Sequence, residues 1–262
     1  MARKIVVTSG KGGVGKTTVT ANLGLSLAGL KKKVLLCDLD LGLNNLDIVT
    51  GVEGRVVYDL CDVLDGRCRL RQAIVESENR NFLYVLPSGN AKDDREVSGQ
   101  SVKLLLESVA NFFDFILIDC PAGIDVGFHR AVSLSDEAIV IATPNLPSIR
   151  DANRVVSVLE SYKLKKISLI VNKARGDLMM DQKMILPEDI SKILNTELLG
   201  VVPEEDSVFL SVGGTLPKTS GAYRSYKLIA DNLIKGRSKV FDATKKYSGL
   251  FGSIRRKIRS EV

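Results

Sequence analysis

The chain has 262 residues, of which 45% are hydrophobic, enough for a sizeable core in one large α/β domain or two small ones. No apolar run reaches the roughly 18 residues that a membrane-crossing helix needs, and glycine and lysine interrupt the opening "MARKIVVTSG" before a secretory hydrophobic region can form. A cytosolic chain is expected. The formal charge of +6 is unevenly placed: from Lys235 onward nine basic residues face two acidic ones, which leaves the first 234 residues at −1. A body-wide nucleic-acid surface is therefore not expected, whereas the C-terminal stretch should attract anions.

Along the chain, short apolar β-branched runs alternate with longer amphipathic stretches. "KIVVT" at Lys4–Thr8 predicts a buried strand, followed by a glycine-rich loop and a helix from about Thr17 to Gly29. "KVLLCD" at Lys33–Asp38 predicts the second strand. Further strands are predicted at Phe82–Pro87, Phe113–Asp119, Ala138–Thr143, Ile167–Asn172 and Leu199–Pro203. Near-continuous apolar strands separated by helices imply an α/β fold, a doubly wound, mostly parallel sheet with helices on both faces. Cys37, Cys61, Cys68 and Cys120 form no C-x-x-C pair and read as small buried thiols. His129, the only histidine, has no partner at ligand spacing and is given no role.

The loop "SGKGGVGKTT" carries the first chemistry. Gly10, Gly12, Gly13 and Gly15, with Val14 between them, let consecutive backbone N–H groups converge on phosphate oxygens, and the helix that follows adds its N-terminal dipole. Lys16 can neutralise the β- and γ-phosphates, Thr17 can bind Mg²⁺ and Thr18 can reach the α-phosphate. Asp119 ends the buried strand in "FDFILIDCPAG", where a carboxylate can hold the Mg²⁺ shell, and Gly123 lies just beyond it. Asp38 and Asp40 follow the second strand at the carboxyl end of the sheet, where open sheets bind ligands. Either could orient an attacking water.

"KGGVGKTT" resembles the deviant Walker A motif of the MinD/ParA family of ATPases. Within it the chain is similar to the septum-site-determining MinD branch, through "GRVVYDLCDVLDGRCRLRQAIV", "LPSG", "IDCPAGID", "SDEAIVIATP" and "GVVPEEDSV" in matching order, almost the whole chain. The resemblance implies an ATPase that uses ATP and Mg²⁺, forms a homodimer with ATP and meets the cell-division inhibitor and topological regulator proteins of the Min system. It implies that Lys11, the extra lysine of the loop, crosses the dimer interface to the partner's phosphates. A second cation in cis would be redundant beside Lys16, whereas one supplied in trans makes ATP part of the interface, as an arginine finger does. It further implies Asp40 as the water-positioning residue, with Asp38 on the same switch segment and in the metal shell, and adenine near Asn172 and the Pro203–Asp206 loop, including Glu205.

From Lys235 the pattern changes. Residues 1–234 are expected to form the ATPase domain, 235–248 a basic tether and 249–262 an amphipathic helix. On a helix, Leu250, Phe251, Ile254, Ile258 and Val262 fall within an arc of about 120°, while Arg255, Arg256 and Arg259 lie outside it. That is the pattern of a helix lying in an anionic membrane surface, so the expected location is cytoplasmic and peripheral on the inner face of the cell membrane. Other readings are a flagellar-number or chromosome-partition ATPase of the same superfamily, a metal-cluster carrier and a metabolic kinase. A partition ATPase would need a basic body and a cluster carrier paired cysteines. A plain kinase would leave Lys11 and the tail unexplained.

Overall fold

The apolar runs form eight strands of one sheet. The computed structural model describes residues 1–41, 45–78, 80–89, 97–211, 213–249 and 252–253. The strands are β1 (Arg3–Thr8), β2 (Val34–Asp38), β3 (Val75–Glu76), β4 (Leu83–Leu86), β5 (Phe115–Asp119), β6 (Glu137–Ala142), β7 (Lys166–Ala174) and β8 (Glu197–Pro203), in the order β3-β4-β2-β5-β1-β6-β7-β8. All pairings are parallel except that of β3 with β4. The seven predicted strands are present with ends shifted by up to two residues. β3, two residues long at the sheet edge, is the addition, too short to leave a periodic signal.

The strands are buried on both sides and divide their side chains by alternation. Ile5, Val7, Val34, Leu36, Phe115 and Leu117 point into a layer covered by α1 (Lys16–Gly29), α2 (Leu46–Thr50) and α11 (Gly221–Lys235). Val6, Leu35, Cys37, Ile116, Ile118 and Val140 point into the opposite layer. That layer is built by α3 (Leu60–Leu64), α4 (Leu70–Ala73), α5 (Gly99–Val109), α6 (Val126–Ser133), α7 (Leu146–Leu159) and α9 (Pro187–Leu194). Two further short helices, α8 (Gly176–Met180) and α10 (Asp206–Leu210), follow β7 and β8 at the carboxyl end of the sheet. This is the doubly wound α/β arrangement.

The stretch expected to be a tether is instead docked over its second half. α11 stops at Lys235 with Gly236 in the left-handed conformation (φ 62°). The chain then turns back, and Asn232 Nδ2 donates to the Lys239 carbonyl at 2.9 Å. Ala243 and Tyr247 are buried. Ala243 packs with Ala174, Met179 and Val201, with Val240 and Phe241 against them. Gly176 lies so close to the Ala243 carbonyl that no side chain could fit there. The reason is visible in the sequence: a few apolar residues scattered among lysines suffice to pack against Ala174, Met179 and Val201. Leu250, Phe251, Ile254, Arg255, Arg256 and Ile258, expected on the amphipathic helix, lie outside the described residues. No described helix is long and apolar enough to cross a membrane.

Candidate nucleotide site

β1 and β5 are paired in register, as are β2 and β5, so Val7, Asp119 and Asp38 end side by side at the carboxyl edge of the sheet. The loop after β1 wraps over this edge and feeds α1. Gly15 at the helix start has φ 93°, and a Cβ there would stand 2.5 Å from Asn172 Nδ2, so glycine is required both for the turn and for the close approach. Gly10 rests against the backbone of Asp151 in α7. Gly12 and Gly13 are exposed, and Val14 is buried in the layer beneath α1.

A cleft of about 820 Å³ opens above the loop. Gly12, Gly13, Gly15, Lys16, Thr17 and Thr18 line it together with Asp40, Ala122, Asn172, Pro203, Glu205 and Phe209. Lys11 stands elsewhere. It is half-buried, its carbonyl accepts a hydrogen bond from Ser9 Oγ at 2.8 Å, and it is not among the described residues lining the cleft. Lys16 is 8% exposed and belongs to the lining, which gives the two lysines of one loop different surroundings.

Thr17, Asp38 and Asp119, the expected metal-side residues, come together. Thr17 Oγ1 donates to Asp119 Oδ2 at 2.6 Å, and Thr20 Oγ1 donates to Asp119 Oδ1 at 3.1 Å. The Thr17 proton is thereby committed to the carboxylate, which leaves the hydroxyl lone pairs for a cation. Among the described residues no group of three or more histidine, cysteine or acidic side chains could hold a metal alone. These residues fit Mg²⁺, which Thr17 would hold together with water and phosphate oxygens, Asp119 and Asp38 lying next to Thr17. Burial pushes the Asp119 carboxyl above its ordinary range, opposed by the Thr17 hydroxyl and the Lys16 charge. Burial and the neighbouring Asp119 push Asp38 up as well. A divalent cation bound here would supply positive charge to this pair of acids.

Asp38 also shapes the loop that carries Asp40. Its Oδ1 accepts from the Asp40 backbone N–H at 2.9 Å and its Oδ2 from that of Leu46 at 3.3 Å. The Asp40 carbonyl accepts from Ser88 Oγ at 3.3 Å. Asp40 is thus placed at the cleft wall by its backbone.

Two of the residues expected near the base have structural duties. Asn172 Nδ2 donates to the Val14 carbonyl at 2.8 Å and so braces the phosphate loop. The Glu205 carboxylate receives the backbone N–H groups of Gly221 (3.2 Å) and Ala222 (3.1 Å) and the Lys246 ammonium (3.3 Å), which caps α11 and ties it to the C-terminal segment. The Glu205 carboxylate is therefore engaged at a helix N-terminus, while the residue itself lines the cleft as expected. Pro203 lines the cleft as expected.

Two contacts escaped the sequence reading. Thr20 shares the Asp119 carboxylate, and its spacing of three from Thr17 on one helix was a usable signal. Lys173, with left-handed backbone (φ 56°), donates from Nζ to the Gly13 carbonyl at 2.8 Å. It has no such signal, because its position depends on an irregularity between β7 and β8.

The profile of a family described as an AAA domain matches residues 2–173. A septum site-determining protein MinD from Synechocystis is 45% identical over 211 residues, covering 80% of this chain and 79% of that protein. Among solved structures, the MinC:MinD cell division protein complex of Aquifex aeolicus matches with a TM-score of 0.83 and 39% identity, covering 91% of this chain and 97% of that one. The septum site-determining protein MinD complexed with Mg-ADP from Pyrococcus horikoshii matches with a TM-score of 0.80 and 32% identity, covering 90% of this chain and 97% of that one. With the phosphate loop, the paired acids and the sheet order in place, the chain belongs to the septum-site-determining MinD family of P-loop ATPases.

Proposed function

We propose that the chain hydrolyses ATP with Mg²⁺ and uses the ATP-bound state to dimerise and to hold its C-terminus on an anionic membrane surface, in the selection of the division site. The observation that carries the nucleotide part is the Thr17–Asp119 pair beneath the loop, with Lys16 in the same cleft. Mg-ATP, when bound, supplies the phosphoryl group and its activated leaving group. The loop amides and Lys16 hold the phosphate oxygens, Thr17 faces the cation, and Asp119 keeps the Thr17 hydroxyl oriented. Asp40, at the cleft wall, positions the attacking water. A relative solved in complex with Mg-ADP supports nucleotide and metal binding by this chain.

Lys11 supports the dimeric part. A cation at the phosphate loop that does not line its own cleft is available to a neighbouring subunit's nucleotide. The relative found in a MinC:MinD complex supports a MinC-type division inhibitor as partner.

Membrane attachment rests on the sequence of residues 249–262. Burying one large apolar side chain contributes about 1.5–3 kcal/mol, and each cation near an anionic surface about 1 kcal/mol. Ordering the backbone costs roughly 1–2 kcal/mol per residue, so one tail binds weakly. Two tails on an ATP dimer raise avidity by about 10²–10⁴ through effective concentration. ATP then recruits the protein and hydrolysis releases it. The test is co-sedimentation of the full chain with phosphatidylglycerol vesicles in Mg-ATP, Mg-ADP and a non-hydrolysable analogue. Pelleting with ATP and the analogue but not ADP is expected, and equal pelleting in all three would contradict the switch.

A further inference from the structure

A second cleft, of about 270 Å³, opens where α1 and α11 meet. It lies behind the nucleotide cleft and shares one wall residue with it, Asn22, whose Nδ2 donates to the Thr18 carbonyl at 2.9 Å. Three cations line it: Arg80 in the turn before β4, Lys218 in the loop leading into α11, and Lys227 on α11. No acidic side chain is among the described residues that line it. Near Lys227 and Arg80 in sequence, Asp231 pairs with Lys235 at 2.7 Å and Glu78 with Arg55 at 3.4 Å.

Arg80 is the inner member. Its Nε is shielded from solvent and lacks a hydrogen-bond partner among the described residues. A Cβ built on Gly29 would stand 3.7 Å from Arg80 Nη1, so the guanidinium lies over the last turn of α1. One cation there neutralises the carbonyl end of the helix. That duty accounts for Arg80 but not for Lys218 and Lys227, both exposed and both bordering the same hollow. Like charges gathered around a concavity repel one another and focus a positive potential into it. In a body whose first 234 residues sum to −1, this concentration stands out.

We propose that this cleft binds a small phosphate-bearing anion. A guanidinium fork and two ammonium groups match phosphate oxygens, and Ser26 and Tyr223 in the lining add hydroxyl groups. The hollow takes a phosphate or pyrophosphate group and is too small for a nucleic-acid strand. Ser26 lies about 15 Å along α1 from Lys16, at 1.5 Å of rise per residue. A ligand there takes no part in phosphate transfer and instead sits against the helix whose N-terminus holds the nucleotide. The phosphate could come from a soluble metabolite or from a lipid headgroup.

The test is calorimetry on the full chain saturated with Mg-ADP, so that the phosphate loop is occupied, titrated with inorganic pyrophosphate at constant free Mg²⁺. One site is expected, weakened about tenfold by Lys218→Ala and again by Lys227→Ala, at about 1.4 kcal/mol per decade. Both lysines are exposed, and unchanged ADP affinity confirms that the variants fold. In a parallel arm, pelleting of the form bound to a non-hydrolysable ATP analogue, the state expected to reach phosphatidylglycerol vesicles, is compared between the parent chain and the double variant. Loss of pelleting in the variant without pyrophosphate binding by the parent assigns the phosphate to a lipid headgroup. Pyrophosphate binding that is equal in the double variant, or no binding together with equal pelleting, overturns the proposal.

Discussion

The two ends of the phosphate loop carry the same side chain in opposite surroundings. Lys16 opens α1, is 8% exposed and lines the cleft. Lys11, five residues earlier, has its carbonyl fixed by Ser9 while its side chain stands apart from the cleft lining. Residue type does not separate them; position relative to the loop's turn does. The inner end is held by hydrogen bonds from Asn172 and Lys173 to Val14 and Gly13, so its geometry is set before any ligand arrives. A charge in that preorganised setting is worth far more than one in open solvent.

If this contrast is right, Lys16→Ala has the largest effect on binding. Losing the ammonium from the β- and γ-phosphate position should cost about 3–4 kcal/mol and lower ATP affinity at least 10²-fold, read by calorimetry. Unchanged affinity would remove Lys16 from the site. Asp40→Ala should come next, with turnover reduced about 10²-fold and ATP affinity within a few-fold of the parent, because the loop keeps its phosphate contacts. Phosphate release under saturating ATP measures it, and parental turnover would exclude Asp40 as the water-positioning residue.

The C-terminal end is broken separately. Ile254→Glu places a charge in the centre of the apolar stripe and should reduce vesicle binding about tenfold or more, with ATP-dependent dimerisation intact by light scattering. Loss of both together would tie the tail to the body's fold. Thr20→Val sharpens the inner end. It removes one of two hydroxyl donors to Asp119 and should weaken Mg²⁺-dependent nucleotide binding by a few-fold, corresponding to about 1 kcal/mol. An effect as large as that of Lys16→Ala would mean that Asp119 is positioned by Thr20 rather than Thr17.

Much of this is legible in the sequence. The strand runs are almost wholly apolar, so the parallel sheet announces itself, and a glycine loop between β1 and α1 has few other uses. Asp38 and Asp119 were marked by ending such strands, and their register explains why they meet. What was hidden depends on long-range packing. Glu205 lines the cleft as its sequence reads, and α11, sixteen residues later, also supplies two N–H groups to its carboxylate. The second half of the basic stretch reads as a tether because lysines outnumber its apolar residues. Ala243 and Tyr247 nevertheless find buried places beside α8. The cationic cleft draws on the turn before β4, the loop before α11 and α11 itself, so no local window contains it.

The division of labour between the two lysines is the central claim, and one variant tests it most directly. Light scattering of Lys11→Ala with Mg-ATP, alongside calorimetry on the same sample, separates binding in cis from bridging in trans. The account predicts a monomer that still binds ATP within about tenfold of the parent, since Lys16 and the loop amides remain. An ATP-dependent dimer of normal stability in this variant would contradict it.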